Sequence, residues 1–196
     1  MTVAETNEQK NQRLKLNLMK TYNNFDEKNV EGLVRAAVLV PIFDNIQGWE
    51  ILYTRRSDKV QHHKGQVSFP GGTVEAQDTG PITTALREAS EEINIDPAKV
   101  RISGFLPDVI SLTNYVITPV VGLMDSMEDI RIRSDEVVDI FAIPVSFLAD
   151  ESNTYFEKRA LPTGVTVEVP FYKKYNDRQV WGITAEITME LIRRIK

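Results

Sequence analysis

The apolar positions of the 196-residue chain change period several times. Leu14, Leu18 and Tyr22 recur every four residues within 11–24. That spacing predicts a short amphipathic helix after a polar, frayed stretch at 1–10. Residues 35–43 are strongly apolar and read as a buried strand, the cluster 44–48 as a turn, and 49–55 as the second strand of a hairpin. The strand-like stretch 66–69 stops at Pro70-Gly71-Gly72, a sharp break before a polar loop. From 82 to 93 the period becomes helical, with Ile82, Ala85, Leu86, Ala89 and Ile93 on one stripe. Asp78 or Thr79 is expected to cap that helix, and Pro81 suits its first turn. Asn94 tolerates the left-handed conformation that closes a helix, and Pro97 prevents continuation.

Strand-like segments then alternate with turns: 100–106, 115–123, 137–143, 155–160 and 165–172. Asn176-Asp177 reads as a hairpin turn before 179–181. A closing helix is expected over 184–195, where Ile187, Leu191 and Ile195 keep a four-residue spacing. Its Arg193, Arg194 and Lys196 suit the negative end of the helix dipole and read as a solvated helix end. The mixture predicts an α+β domain, a sheet with a few helices packed on it, at 31–196, with a helical N-terminal extension at 1–30.

Composition removes several chemistries. The chain has no cysteine, so disulfides, thiolate metal sites, iron–sulfur clusters and a cysteine nucleophile are excluded. Its two histidines, His62 and His63, are adjacent, which excludes a three-histidine zinc site, and no G-x-S-x-G elbow is present. A formal net charge of −5 argues against a general duplex-DNA binder. The longest apolar run is far shorter than a membrane-spanning helix, and residues 1–10 carry no apolar export core, so a cytoplasmic protein is expected.

The chemistry concentrates in Arg87-Glu88-Ala89-Ser90-Glu91-Glu92. On a helix, Glu88, Glu91 and Glu92 stand at i, i+3 and i+4 and share one side. Like charges at that spacing repel, and no Lys at i+4 relieves them. A hard divalent cation such as Mg²⁺ or Mn²⁺ would. A plain solvated acidic face is the competing reading. The approach through Phe69-Pro70-Gly71-Gly72, with Glu75 and Asp78 following, tips the balance toward a site, because glycines let a backbone come close to a ligand.

At this point the sequence resembles the Nudix hydrolases, whose signature is G-x5-E-x7-R-E-U-x-E-E-x-G-U, U being aliphatic. Here Gly72 is followed by Asp78 and, after one extra residue, by Arg87-Glu88-Ala89-Ser90-Glu91-Glu92-Ile93-Asn94-Ile95. Asp78 stands for Glu, Ala89 for the aliphatic residue and Asn94 for Gly. Upstream, Leu52-Tyr-Thr-Arg-Arg-Ser57 and the run from Val60 to Gly72 are similar to the extra motif of the coenzyme A pyrophosphatase branch. Asp78, the longer spacer and Thr84-Ala-Leu-Arg-Glu-Ala89 agree with that branch. Tyr53 replaces Leu, and Gln61 stands where the motif has Arg.

The resemblance implies an α/β/α sandwich with a mixed sheet and a catalytic loop–helix. It implies metal-dependent hydrolysis of a nucleoside diphosphate derivative, with coenzyme A giving 4′-phosphopantetheine and adenosine 3′,5′-bisphosphate. Glu88, Glu91 and Glu92 would hold Mg²⁺ or Mn²⁺. Arg87 would orient the glutamates or simply pair with them. Arg56, Ser57, His63, Lys64, Gly65, Gln66, Gly71 and Gly72 would meet the substrate or shape its loop, a structural role being equally open for His63. Strand neighbours face opposite ways, so only one of Arg55 and Arg56 is expected at the phosphates, and Arg56 is the one that matches the branch motif. The general base would be Glu136 or, within the motif, Glu91. A Nudix hydrolase of ADP-ribose or another nucleotide, and a non-catalytic ligand sensor, are the competing functions. The expected partner is a small nucleotide-derived molecule, with no nucleic acid and no membrane; a homodimer is left open.

Overall fold

In the computed structural model, the described residues are 18, 32–45, 48–58, 65–161 and 163–195. Ten strands and three α-helices are described in full among these residues: β1 (Val34–Asn45), β2 (Gly48–Arg56), β3 (Val67–Ser68), β4 (Gly71–Thr73), α1 (Pro81–Ile93), β5 (Arg101–Phe105), β6 (Val109–Ile110), β7 (Tyr115–Met124), β8 (Val137–Pro144), α2 (Val145–Ala149), β9 (Thr154–Ala160), β10 (Thr166–Tyr172) and α3 (Gly182–Ile195). Eight strands form one mixed sheet with the order β3-β2-β1-β7-β5. In it β4 pairs with β1, β6 with β7 and β8 with β2. The β1–β7 pair is parallel, and every other pairing in the sheet is antiparallel.

Strand alternation sorts the core into two layers. Ala37, Leu39 and Phe43 of β1, with Leu52 of β2, pack under Ala85, Ala89 and Ile93 of α1. Val40, Ile42, Ile51 and Tyr53 point the other way, toward Ile187, Leu191 and Ile192 of α3. Helices therefore cover both sides of the sheet, the α/β/α sandwich expected from the sequence. Tyr53 is fully buried between Phe69 and Phe141, and its hydroxyl meets Thr188 Oγ1 at 3.0 Å, tying β2 to α3. No described helix is long and apolar enough to cross a membrane.

The long strands and both long helices fall where periodicity places them. Asn94 closes α1 at φ +60°, and Asn176 and Asp177 both take positive φ in the turn bridged by Tyr175 and Arg178. Two expectations need correction. The break at 70–72 is strand β4, because Gly71 and Gly72 lie directly against Val38 and Ala37 of β1. Neither Asp78 nor Thr79 caps α1. Gly80 takes that position, its N–H donating to Thr83 Oγ1, while Asp78 is drawn inward to Arg87 and Thr84. The short β6 and α2 carry too few residues for a period to show. Of the helix expected over 11–24, Leu18 is helical and fully buried against Gly104. The rest of it lies outside the described residues.

Candidate active site

The site forms where β4 passes beneath the middle of α1. A Cβ on Gly72 would stand 2.5 Å from the Glu88 carboxylate carbon, so only glycine leaves room for that side chain. The glutamates then separate along the helix. Glu92 is 7% exposed, Glu88 has a side chain 17% exposed, and that of Glu91 is 61% exposed. Glu92 accepts from the backbone N–H of Gly71, yet its Oε2 is buried with no hydrogen-bond partner. Burial pushes its carboxyl up to about 8, against the pull of the Arg56 guanidinium and with help from Glu88 and Glu136. Burial also raises Glu88, opposed by Arg87.

Arg87 is the hub of the acidic loop. Its Nε and Nη2 donate to Asp78 at 3.2 and 3.0 Å, and Nη2 also donates to the carbonyl of Thr73 at 3.0 Å. Nη1 reaches Glu88 at 2.9 Å, Glu91 at 3.4 Å and Glu75 at 3.5 Å. Asp78, with 3% of its side chain exposed, also accepts from Thr84 Oγ1 and the Glu75 N–H, and the Arg87 guanidinium holds it down to about 2. The loop between β4 and α1 is thus folded around one cation. Thr84 stands in the stretch 84–89 that resembles the coenzyme A branch, but its bond to Asp78 has no signal in the sequence.

Lowering a carboxyl by native contacts stabilises the fold above its unfolded value and forfeits that stabilisation as pH falls through the folded one. Asp78→Asn should therefore lower stability at pH 7 by about 2 kcal/mol, the scale of a lost charge-assisted pair. The difference from wild type should shrink between pH 4 and pH 2. Urea midpoints of both proteins across that range measure it, and a pH-independent difference would contradict the assignment.

The other side of the site comes from β2 and β8. Arg56 Nη2 donates to Glu136 Oε2 at 3.0 Å, while Arg56 Nε is buried without a partner. Arg55 faces away, 3.8 Å from Asp139. The Arg56 N–H donates to the Gln66 carbonyl at 2.9 Å and the Ser57 N–H to the Glu136 carbonyl at 2.7 Å. These bonds close the base of the loop that starts at Ser57, and Gly65 turns its far end at φ +66°. His63 and Lys64 lie outside the described residues. Arg56, Gly71, Gly72, Glu88, Glu92 and Glu136 are brought together; Glu91 stands on the outer flank with Arg87.

The donor set is all oxygen, as hard divalent cations require. Among the described residues no three carboxylates are gathered at ion-holding separation. A cation nevertheless fits this chemistry. It would satisfy the orphaned Glu92 oxygen and offset the burial of two neighbouring carboxylates.

A family model described as the NUDIX domain matches residues 33–156. The chain is 37% identical over 171 residues to NudL of Escherichia coli K12, described as an uncharacterized Nudix hydrolase, covering 82% of each chain. It is 36% identical over the same span to NudL of Citrobacter koseri, again covering 82% of each. Among solved structures, the NUDIX domain of Shewanella oneidensis NrtR, bound to ADP ribose, matches with a TM-score of 0.50 and 21% identity. That match covers 63% of this chain and 80% of the other. The M. smegmatis Nudix hydrolase RenU matches with a TM-score of 0.50 and 17% identity, over 60% and 74%.

Proposed function

This chain belongs to the Nudix hydrolase family, enzymes of phosphoric anhydrides that generally use divalent metals, and we propose that it cleaves the pyrophosphate of coenzyme A or its derivatives. The products would be 4′-phosphopantetheine and adenosine 3′,5′-bisphosphate. The observation that carries this reading is the closed base of the 57–66 loop. Arg56, Ser57 and Gln66, all within the motif similar to the coenzyme A branch, are tied by backbone bonds to each other and to Glu136. Arg56 is therefore fixed close enough to act on the Glu92 carboxyl.

Glu88 and Glu92 would hold Mg²⁺ or Mn²⁺, with Glu91 joining once it leaves Arg87. The bound ion supplies charge neutralisation of the phosphates and a more acidic water. Arg56 meets the phosphate chain, since its Nε has no internal partner to satisfy it. Glu136 is the better base of the two candidates. It stands across from Glu92 and close enough to raise that carboxyl, whereas Glu91 lies on the outer flank with Arg87. Arg87 is a positioning residue. It fixes Glu88 and the acidic loop and does not reach across to the phosphates.

A panel of coenzyme A, ADP-ribose and a nucleoside triphosphate, assayed by product mass with and without divalent metal, tests the reading. We expect coenzyme A to be cleaved at least about tenfold faster than either alternative. Equal or reversed preference would hand the chain to another nucleoside diphosphate derivative, such as the ADP ribose seen on the NrtR domain. No cleavage of any substrate would favour a ligand sensor.

A further inference from the structure

In the β9–β10 hairpin, β9 lies largely in solvent. Six of the seven residues of β9 are exposed, including Phe156 at 57%. The hairpin forms its own two-stranded sheet, and two strands alone are marginal in water. The outer edge of β10 is closed at its C-terminal end: Tyr172 donates to the Val180 carbonyl, Phe171 bridges to Trp181, and Pro170 has no N–H to offer. Among the described residues no strand pairs with the outer edge of β9.

The direction of each backbone group on that edge follows from the register. Bonds from Leu161 N–H to the Val165 carbonyl and from Lys173 N–H to the Asn153 carbonyl bracket the hairpin. The odd positions 153 to 161 therefore bond inward, as an antiparallel ladder alternates. Phe156, Lys158 and Ala160 consequently turn their N–H and C=O groups outward.

We propose that two copies of this chain associate by antiparallel pairing of β9 with β9, about a two-fold axis at Lys158. A symmetric antiparallel pair must centre on one residue for opposite side chains to share a face. With Lys158 at the axis, the outward groups of Phe156, Lys158 and Ala160 bond those of Ala160, Lys158 and Phe156 in the second copy. Glu157 then lies opposite Arg159 of the other copy, twice, in non-hydrogen-bonded positions where side chains approach most closely. Glu157 and Arg159 already bond at 3.0 Å along one strand, so both charges are on the face where the second copy needs them. Arg159 is steadied over the Phe171 and Trp181 rings, at 5.1 and 5.2 Å. Centring on Glu157 instead would set the two Glu157 carboxylates against each other. The Lys158 ammonium groups meet on the opposite face, where long stems can splay.

Sedimentation of the full chain from 1 to 200 µM should show a reversible monomer–dimer equilibrium. Glu157→Arg and Arg159→Glu should each weaken self-association at least tenfold. Mixed in equal amounts, they should form a heterodimer, because every Arg then faces a Glu. A wild-type protein that stays monomeric throughout, or one whose dimer is untouched by both variants, overturns the proposal. So does an equimolar mixture that stays monomeric while the wild type dimerises.

Discussion

Glu92→Gln is expected to lower turnover by at least about 10²-fold under saturating divalent metal, the scale of a lost major electrostatic contribution. The same change should make the metal-free protein more stable. The Glu92 carboxyl is 7% exposed, and its folded value sits near 8, well above the ordinary carboxylate range. A carboxyl raised by folding binds a proton in the native state that the unfolded chain releases at neutral pH. The fold therefore loses stability as pH rises from the unfolded value, near 4.5, to the folded one, near 8. Gln is neutral throughout and escapes that loss. Metal-free Glu92→Gln should melt at least about 3 °C above wild type at pH 8, and the difference should close below pH 4.5. Adding Mg²⁺ or Mn²⁺ should raise the wild-type melting temperature and leave the variant nearly unmoved. Calorimetry at several pH values, with and without metal, reads all three effects. Full activity in the variant, or equal stabilisation of both proteins by metal, would remove Glu92 from the ligand set.

The neighbouring glycines should fail in different ways. A Cβ on Gly72 meets only the carboxylate end of Glu88, a side chain that can swing aside. Gly72→Ala should therefore fold, with a melting temperature within a few degrees of wild type, and lose about 10²-fold in turnover because Glu88 is pushed off position. A Cβ on Gly71 would stand 2.6 Å from Val38 Cα, with the Ala37 carbonyl also against it. That is backbone in the centre of the sheet and cannot yield locally. Gly71→Ala should cost about 3 kcal/mol or more and give little soluble protein, the scale of overpacking at a rigid site. Melting curves and turnover of the two variants separate positioning of Glu88 from integrity of the fold. A Gly72→Ala enzyme with unimpaired turnover would show that Glu88 tolerates displacement.

These particular residues also show what a single sequence reveals. The long strands and helices were legible because burial on one side imposes a period, and β1, β2, α1 and α3 each keep theirs. The site was legible in its members, but its geometry was not. Spacing put Glu88, Glu91 and Glu92 on one side of a helix. Whether each faces protein or water depends on β4 lying under that helix, and β4 is two glycines and a threonine with no period to read. Arg87 was expected to pair with or orient the glutamates. That it gathers Glu75, Asp78, Glu88 and Glu91 depends on the loop folding back, which Asp78 and Thr84 achieve through bonds between residues of unremarkable spacing. Glu136 was legible only as a charge before a strand. Its place beside Arg56 follows from the β2–β8 register.

The parallel pairing of β1 with β7 has a consequence in time. Val34 faces Tyr115, some eighty residues later, and Arg56, Gly71, Gly72, Glu88 and Glu92 are all made between them. The chain can form α1 and the β1–β2 hairpin early, from local contacts. It cannot close the sheet until β7 arrives, nor bring Glu136 to Arg56 until β8 follows. Closing so long a loop is slow relative to local structure. During synthesis, catalytic competence should consequently appear late and in one step, after residues beyond 144 have emerged. A refolding experiment should recover helix signal well before activity.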